Sequence, residues 1–232
     1  PAQMPEIRKR GGRPSLGDLE ENFEDVVRGM DALVFTAGSG AHTGPEKTID
    51  VDQNGAIRAV DTCVALEVPR FVMVSSMGAD DPESGPENIR HYLRAKHVAD
   101  EHLRASGLQY TILRPGRLTD EPGTGRIRAG AGLGYGEIPR ADVAEAIALC
   151  LDMPETQGRI IELLSGDTPI RKALAQEACV AHKPLPLWCP APVPQSAGTA
   201  TLLRRRVRSP QRRGPRGCGL PPWRDIRPHP PA

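Results

Sequence analysis

The sequence predicts an α/β protein whose core is a mainly parallel sheet, doubly wound with helices on both faces. Short apolar runs alternate with helix-length amphipathic segments over most of the first 180 residues, which is the pattern of a parallel sheet covered on both sides. The runs 32–35 and 71–74 are continuous, as expected of strands buried on both faces. Only 3% of the 232 residues are aromatic, so Val, Leu, Ile and Ala must fill the core.

The individual elements are predicted from these patterns and from turn residues between them. Strands are expected at residues 13–16, 32–36, 71–74, 110–113 and 159–163. Helices are expected at residues 4–10, 23–28, 46–67, 87–106, 140–151 and 170–180. Gly107 is expected to end the helix at 87–106, because a helix commonly stops at a left-handed residue and glycine adopts that conformation without strain.

The composition divides the chain into two parts. Residues 183–232 contain ten Lys or Arg residues and one acidic residue, although the net charge of the whole chain is only +1, and they hold 12 of the 24 prolines. We therefore predict an α/β domain over residues 1–175 and a disordered, Pro/Arg-rich tail over residues 176–232. The arginines of this tail suit nucleic acid electrostatically, but no recognition module accompanies them. A disordered extension is the favoured interpretation.

The cysteine pattern and the hydropathy bound the cellular context. Five cysteines are scattered along the chain without the spacing of a metal site, which predicts reduced thiols, no metal and a cytoplasmic location. No apolar run reaches the length of a membrane span and no signal peptide opens the chain. We expect no membrane association.

Tyr92 and Lys96 are the most informative pair in the sequence. They are four residues apart in a predicted helix, so both side chains lie on one helical face. A neighbouring cation favours the phenolate, which predicts a lowered pKa for Tyr92 and a group that exchanges protons at neutral pH. The preceding strand ends in Ser75 and Ser76, and either hydroxyl is placed to polarise a substrate oxygen. The alternative is a tyrosine and a lysine that meet by chance.

Several further motifs, each weak alone, give the chain a family resemblance. They occupy residues 17–19, 31–38, 47–55, 74–76, 92–96, 113–116, 142–144 and 166–169. With them, residues 2–175 resemble the atypical branch of the short-chain dehydrogenase/reductases, which is related to NmrA-like and flavin-reductase-like proteins. The resemblance implies a Rossmann-like fold and an NAD(P)-dependent, oxidoreductase or epimerase-like activity on a small-molecule substrate. It implies NADP more strongly than NAD as the cofactor.

The resemblance also implies roles for individual residues. Tyr92 would act as general acid/base, Lys96 would hold the ribose and lower the pKa of Tyr92, and Ser76 or Ser75 would orient the substrate oxygen. Asp52 stands where typical members carry an asparagine for proton relay, although a solvated helix acid fits its spacing equally well. The cofactor would contact Asp18, Leu19, Thr36, Ala37, Gly38, Ser39, Gly40, Lys96, Pro115 and Gly116. Asp18 also fits an ordinary turn, and Pro115-Gly116 a plain strand-to-loop turn.

The glycine-rich loop that binds the cofactor's pyrophosphate is missing from the start of this sequence. The segment 38–44 resembles it but is one residue too long. We therefore expect an N-terminally truncated domain that lacks its first two strands and exposes strand 32–36 as an apolar edge. Such a chain is expected either to be poorly stable or to pair strand 13–16 with strand 32–36.

Two functions remain open at this point. The Tyr-Lys-Ser set favours an enzyme that transfers hydride between the nicotinamide and a carbonyl, hydroxyl or flavin-like acceptor. The alternative is a non-catalytic NAD(P)-binding sensor, as NmrA-like proteins are.

Overall fold

The computed structural model describes residues 3–40 and 43–180, with side chains as far as residue 177. The helices are α1 (Met4–Lys9), α2 (Glu24–Val27), α3 (Pro45–Thr48), α4 (Ala56–Ala65), α5 (Arg90–Ala105), α6 (Arg140–Asp152) and α7 (Ile170–Val180). A π-helical segment, Ile49–Gly55, joins α3 to α4. The strands are β1 (Ala32–Phe35), β2 (Arg70–Val74), β3 (Gln109–Pro115), β4 (Arg117–Thr119), β5 (Arg126–Gly130), β6 (Glu137–Pro139), β7 (Arg159–Ser165) and β8 (Thr168–Pro169).

The central sheet has the order β1-β2-β3-β7-β5-β8. Strands β1, β2, β3 and β7 are parallel, whereas β5 runs antiparallel to β7 and to β8. A separate parallel pair, β4 and β6, follows the end of β3. The predicted α/β class with a mainly parallel sheet is confirmed. Parallel pairing brings the carboxyl ends of β1, β2 and β3 to one edge, where ligands of such sheets bind.

Neighbouring residues of the central strands pack into two different cores. On β2, Phe71 joins the cluster made with α2, α4 and α5, whereas Val72 joins the cluster made with α6 and α7. On β3, Ile112 and Leu113 divide in the same way. Successive strand residues point to opposite faces, so a sheet covered on both faces needs continuous apolar runs. This explains the runs from which the strands were predicted.

The region before β1 and the region after β3 differ from the prediction. Residues 13–16 form no strand, so the expected pairing of that segment with β1 is wrong. The segment 117–139, for which no strand was predicted, contains β4, β5 and β6. Within the described residues β1 is an edge of the sheet, as predicted, and Val34 on it is 36% exposed.

The division of the chain into a domain and a C-terminal tail stays a prediction. Helix α7 runs to Val180, so the predicted boundary after residue 175 falls inside a helix. The rest of the predicted tail, with its arginine runs, lies outside the described residues. Among the described helices, none combines the length and the apolar character that crossing a membrane requires.

Candidate active site

A π-helical turn carries Asp52 into the interior of the protein. π segments are rare and often occur at functional sites, and here Asp52 is fully buried although it belongs to a helix beside the sheet. Its carboxylate accepts a hydrogen bond of 2.9 Å from the backbone N–H of Ser39, just after β1. A Cβ on Gly38 would lie 3.1 Å from Asp52 Oδ1. The close approach of the loop to the carboxylate therefore favours glycine at position 38.

Lys96 pairs with Asp52 in this buried pocket. The Lys96 Nζ to Asp52 Oδ1 distance is 3.0 Å, and the two side chains are only 5% and 1% exposed. The same ammonium lies 5.5 Å from the centroid of the Tyr92 ring, within cation–π range. Tyr92 and Lys96 thus share a face of α5, as their spacing predicts. The burial of Asp52 excludes the interpretation of a solvated helix acid.

The predicted direction of the Tyr92 pKa shift is wrong. Burial, together with the negative charge of Asp52, raises the pKa of Tyr92 to about 12, and a hydrogen bond with Ser76 only partly opposes this. Lys96 does not dominate because its charge is already neutralised by Asp52. At neutral pH the phenol keeps its proton.

The two serines at the end of β2 make different contacts. The Ser76 hydroxyl interacts with the Tyr92 phenol and donates to the carbonyl of Met77 at 3.2 Å. The buried Ser75 hydroxyl instead donates to Asp100 Oδ2 at 2.9 Å. Ser76 therefore contacts Tyr92, whereas Ser75 belongs to a buried polar cluster with Asp100.

That buried cluster contains two residues without a predicted role, Asp100 and Arg114. Arg114 donates to Asp100 Oδ2 from Nε at 3.0 Å and from Nη2 at 2.9 Å. Burial raises the pKa of Asp100, against the opposing effects of Arg114, Ser75 and Lys96. One sequence signal was available, because Tyr92, Lys96 and Asp100 recur every four residues along α5 and so share a face.

Pro115 and Gly116 lie where β3 leaves the sheet, at a cavity of about 550 Å³ that Ser76 also lines. Gly116 has no room for a side chain, because a Cβ there would lie 2.4 Å from the carbonyl oxygen of Gly136. Ser76 and the Pro-Gly turn therefore lie at the same cavity.

The remaining predicted cofactor residues are spread along the first 40 positions. Asp18 is exposed and accepts a 2.9 Å bond from the Glu20 N–H, as an ordinary turn aspartate does. Leu19 packs against the core. Thr36 and Ala37 line a shallow cavity of about 290 Å³ beside β1, and Gly40 has φ +84°.

The groups around Lys96 and Tyr92 fit the nicotinamide-ribose half of a dinucleotide. Within the described residues Lys96 has one ion pair, which leaves ammonium N–H groups for ribose hydroxyls. The loop after β1, by contrast, does not suit the pyrophosphate of the dinucleotide. The Ser39 N–H there is already bonded to Asp52, and that carboxylate would repel a phosphate.

Comparisons with known proteins identify the family. A family profile described as NAD(P)H-binding matches residues 1–154. The chain is 43% identical over 175 residues to an uncharacterized sugar epimerase, YhfK, of Bacillus subtilis, covering 74% of this chain and 82% of the relative. It is 35% identical over 168 residues to sanguinarine reductase of Eschscholzia californica, covering 65% of this chain and 60% of that protein.

A solved structure supports the same family assignment. A putative NAD-dependent epimerase/dehydratase from Bacillus halodurans superposes with a TM-score of 0.73 at 45% identity, covering 75% of this chain and 83% of the other. The mainly parallel sheet is therefore a Rossmann-like one, and the cofactor is a nicotinamide dinucleotide. The chain belongs to the NAD(P)H-binding family of atypical short-chain dehydrogenase/reductases, an oxidoreductase and epimerase-like group with reductase members.

Proposed function

We propose that this protein is an NAD(P)H-dependent carbonyl reductase in which Tyr92 delivers the proton. The observation that carries the proposal is the half-buried Tyr92 next to the buried Lys96–Asp52 pair and beside Ser76, at the carboxyl ends of the parallel strands. A tyrosine with a shifted pKa at such a position is typical of catalytic sites. The preference for NADP over NAD rests on the family resemblance.

Each residue has a distinct task in this scheme. The nicotinamide, when bound, supplies the hydride. The Ser76 hydroxyl, next to the phenol, hydrogen-bonds to the substrate oxygen and orients it. Tyr92 transfers its proton to that oxygen as negative charge develops there. Lys96, held in place by its ion pair with Asp52, offers its remaining ammonium N–H groups to the ribose hydroxyls of the cofactor.

The raised pKa of Tyr92 supports reduction over the reverse reaction. With a pKa of about 12, the phenol is a proton donor at neutral pH and has little capacity to remove a proton from an alcohol. An epimerase that begins by oxidising a hydroxyl needs a base at this position. The protonated phenol therefore favours the reductase over the epimerase interpretation.

The proposal is tested by replacing Tyr92 with phenylalanine and following NADPH oxidation with a panel of ketones and aldehydes. Losing a positioned proton donor is expected to lower kcat by about 10²–10⁴-fold, while NADPH binding, measured by fluorescence titration, is retained. Tyr110→Phe is the matched control, because Tyr110 lies near the start of β3, at the opposite end of the sheet.

Two outcomes would contradict the proposal. Unchanged turnover in Tyr92→Phe would remove the tyrosine from the chemistry. NADPH binding by the wild type without turnover of any carbonyl compound would favour the alternative, a non-catalytic dinucleotide sensor.

A further inference from the structure

The substrate of the proposed reductase would bind in the cavity that Ser76 lines. Its volume of about 550 Å³ is in the range of small-molecule sites. Ser76, which hydrogen-bonds with the Tyr92 phenol, lines this cavity and so places it next to the proposed reaction centre. The side chains around it therefore bear on which substrate the proposed reductase takes.

Most of the cavity wall is apolar. Its lining includes Met77, Pro86, Ile89, Pro115 and Tyr135. Gly116 and Gly136 add a stretch of wall without side chains, and they pack too closely for a Cβ on Gly116. Such a wall suits the face of a ring system, whereas each buried hydroxyl of a sugar would need a polar partner.

The charges near the cavity disfavour a phosphorylated substrate. Among the described residues that line it, the one cation is Arg117, which is ion-paired with Glu137. A second cavity of about 270 Å³ shares Met77 and Tyr135 with the first and is lined by Asp80, Asp81 and Glu162. The negative charge here opposes the entry of a diphosphate.

Tyr135 is placed to contact a substrate from both cavities. It is 78% exposed and is flanked by Gly134, with φ +77°, and Gly136. The loop is held on both sides of the tyrosine. The Leu133 N–H donates to Glu162 at 2.7 Å, and the carbonyl of Gly136 accepts from the Arg117 N–H at 2.9 Å. An aromatic ring in this position offers stacking area to an apolar ring.

We propose that the substrate is an apolar cyclic ketone without phosphate or carbohydrate groups, and that Tyr135 determines this specificity. The inference rests on the proposed reductase function and names its substrate class. In the reaction a hydride from NAD(P)H forms a C–H bond at the carbonyl carbon. The π electrons of the C=O bond move to oxygen, which takes the proton of Tyr92. NAD(P)H is oxidised to NAD(P)⁺ and the ketone is reduced to an alcohol.

The test compares 2-tetralone with UDP-4-keto-6-deoxyglucose as substrates of the full chain at saturating NADPH. The kcat/KM for 2-tetralone is expected to exceed that for the sugar nucleotide by about 100-fold or more. Tyr135→Ala is expected to lower the value for 2-tetralone about tenfold, whereas Tyr135→Phe retains it. Leu16→Ala is the matched control, because Leu16 is another highly exposed apolar residue, outside both cavities.

Binding measured without turnover separates this inference from the proposed function. Saturation-transfer NMR of 2-tetralone should show binding to the wild type and weaker binding to Tyr135→Ala, even if no ketone is reduced. Higher kcat/KM for the sugar nucleotide would overturn the substrate class while leaving the reductase function intact. Equal 2-tetralone binding by the wild type and Tyr135→Ala would overturn the role of Tyr135.

Discussion

The two ends of strands β2 and β3 each contain a buried arginine, and the two arginines have opposite kinds of partner. Arg70, at the start of β2, donates to the carbonyls of Gln109 and Cys150 and to the Thr111 hydroxyl, at 2.7–2.8 Å. Arg114, near the end of β3, donates instead to the Asp100 carboxylate. One cluster is built from neutral acceptors and the other from a charge pair.

This difference in partners distinguishes the packing end of the sheet from the end beside the proposed active site. Burial lowers the pKa of Arg70, and no described carboxylate pairs with it, so its cluster closes the amino-terminal end of the strands as a packing element. The Arg114 cluster adjoins the reaction centre in sequence. Ser75 precedes Ser76, Arg114 precedes Pro115, and Asp100 lies one turn beyond Lys96 on α5. We infer that the Arg114 cluster holds the end of β2, the end of β3 and helix α5 in register.

Replacing each arginine with methionine should produce the largest contrast. Arg114→Met leaves the Asp100 carboxylate buried without its cation, so we expect a loss of about 3–5 kcal/mol in the free energy of unfolding. Arg70→Met leaves only neutral acceptors unsatisfied, and we expect about 1–3 kcal/mol. Urea denaturation of both variants and the wild type measures the difference. An equal loss in the two variants would show that the charge pair does not distinguish the two ends.

A smaller contrast comes from removing one hydroxyl at each end. Ser75→Ala deletes one buried hydrogen bond, whereas Thr111→Val deletes two, one from Arg70 and one to the Thr156 carbonyl. The free energy of unfolding should fall by about 1 kcal/mol in the first variant and about 2 kcal/mol in the second. Only Ser75→Ala should also lower kcat, by about tenfold, because it releases the segment that positions Ser76. Steady-state kinetics alongside denaturation separates the two effects. A similar loss of kcat in both variants would mean that general destabilisation, and not positioning, is responsible.

The sequence predicted the parts of the fold that local pattern determines. Continuous apolar runs identified β1 and β2, and the predicted stop at Gly107 is confirmed by its φ of +80° just after α5. Strands of two to five residues in the glycine-rich segment 117–139 and at Thr168–Pro169 were missed, because they depend on their partners and not on their own composition. Strand β4 pairs with β6, and β5 pairs with β7 and β8. Residues 13–16 were predicted as a strand, and no strand lies there.

The sequence placed Tyr92 and Lys96 together but did not predict the electrostatics around them. Spacing placed Tyr92 and Lys96 on one face of a helix, yet the pKa of Tyr92 depends on Asp52, which reaches Lys96 from a different helix. Likewise, Asp100 and Arg114 meet only after α5 packs on the sheet. A positive charge identified in a sequence acts on its neighbour only to the extent that the fold leaves it unpaired.

The ionisation of Tyr92 tests the central claim most directly. Its pKa is raised from the ordinary 10.0 to about 12, so the folded state keeps a proton that the unfolded chain loses between about pH 10 and 12. This contribution to stability is present below about pH 10, is lost as the pH rises through that window, and is absent from Tyr92→Phe.

The measurement is a stopped-flow pH-jump titration of tyrosinate absorbance at 295 nm, completed before the protein unfolds. Subtracting the Tyr92→Phe signal from that of the wild type isolates this one phenol among the three tyrosines of the chain. A midpoint near 12 would establish a tyrosine that holds its proton for delivery to a substrate. A midpoint below about 8, as expected of a phenolate activated by Lys96, would contradict the account.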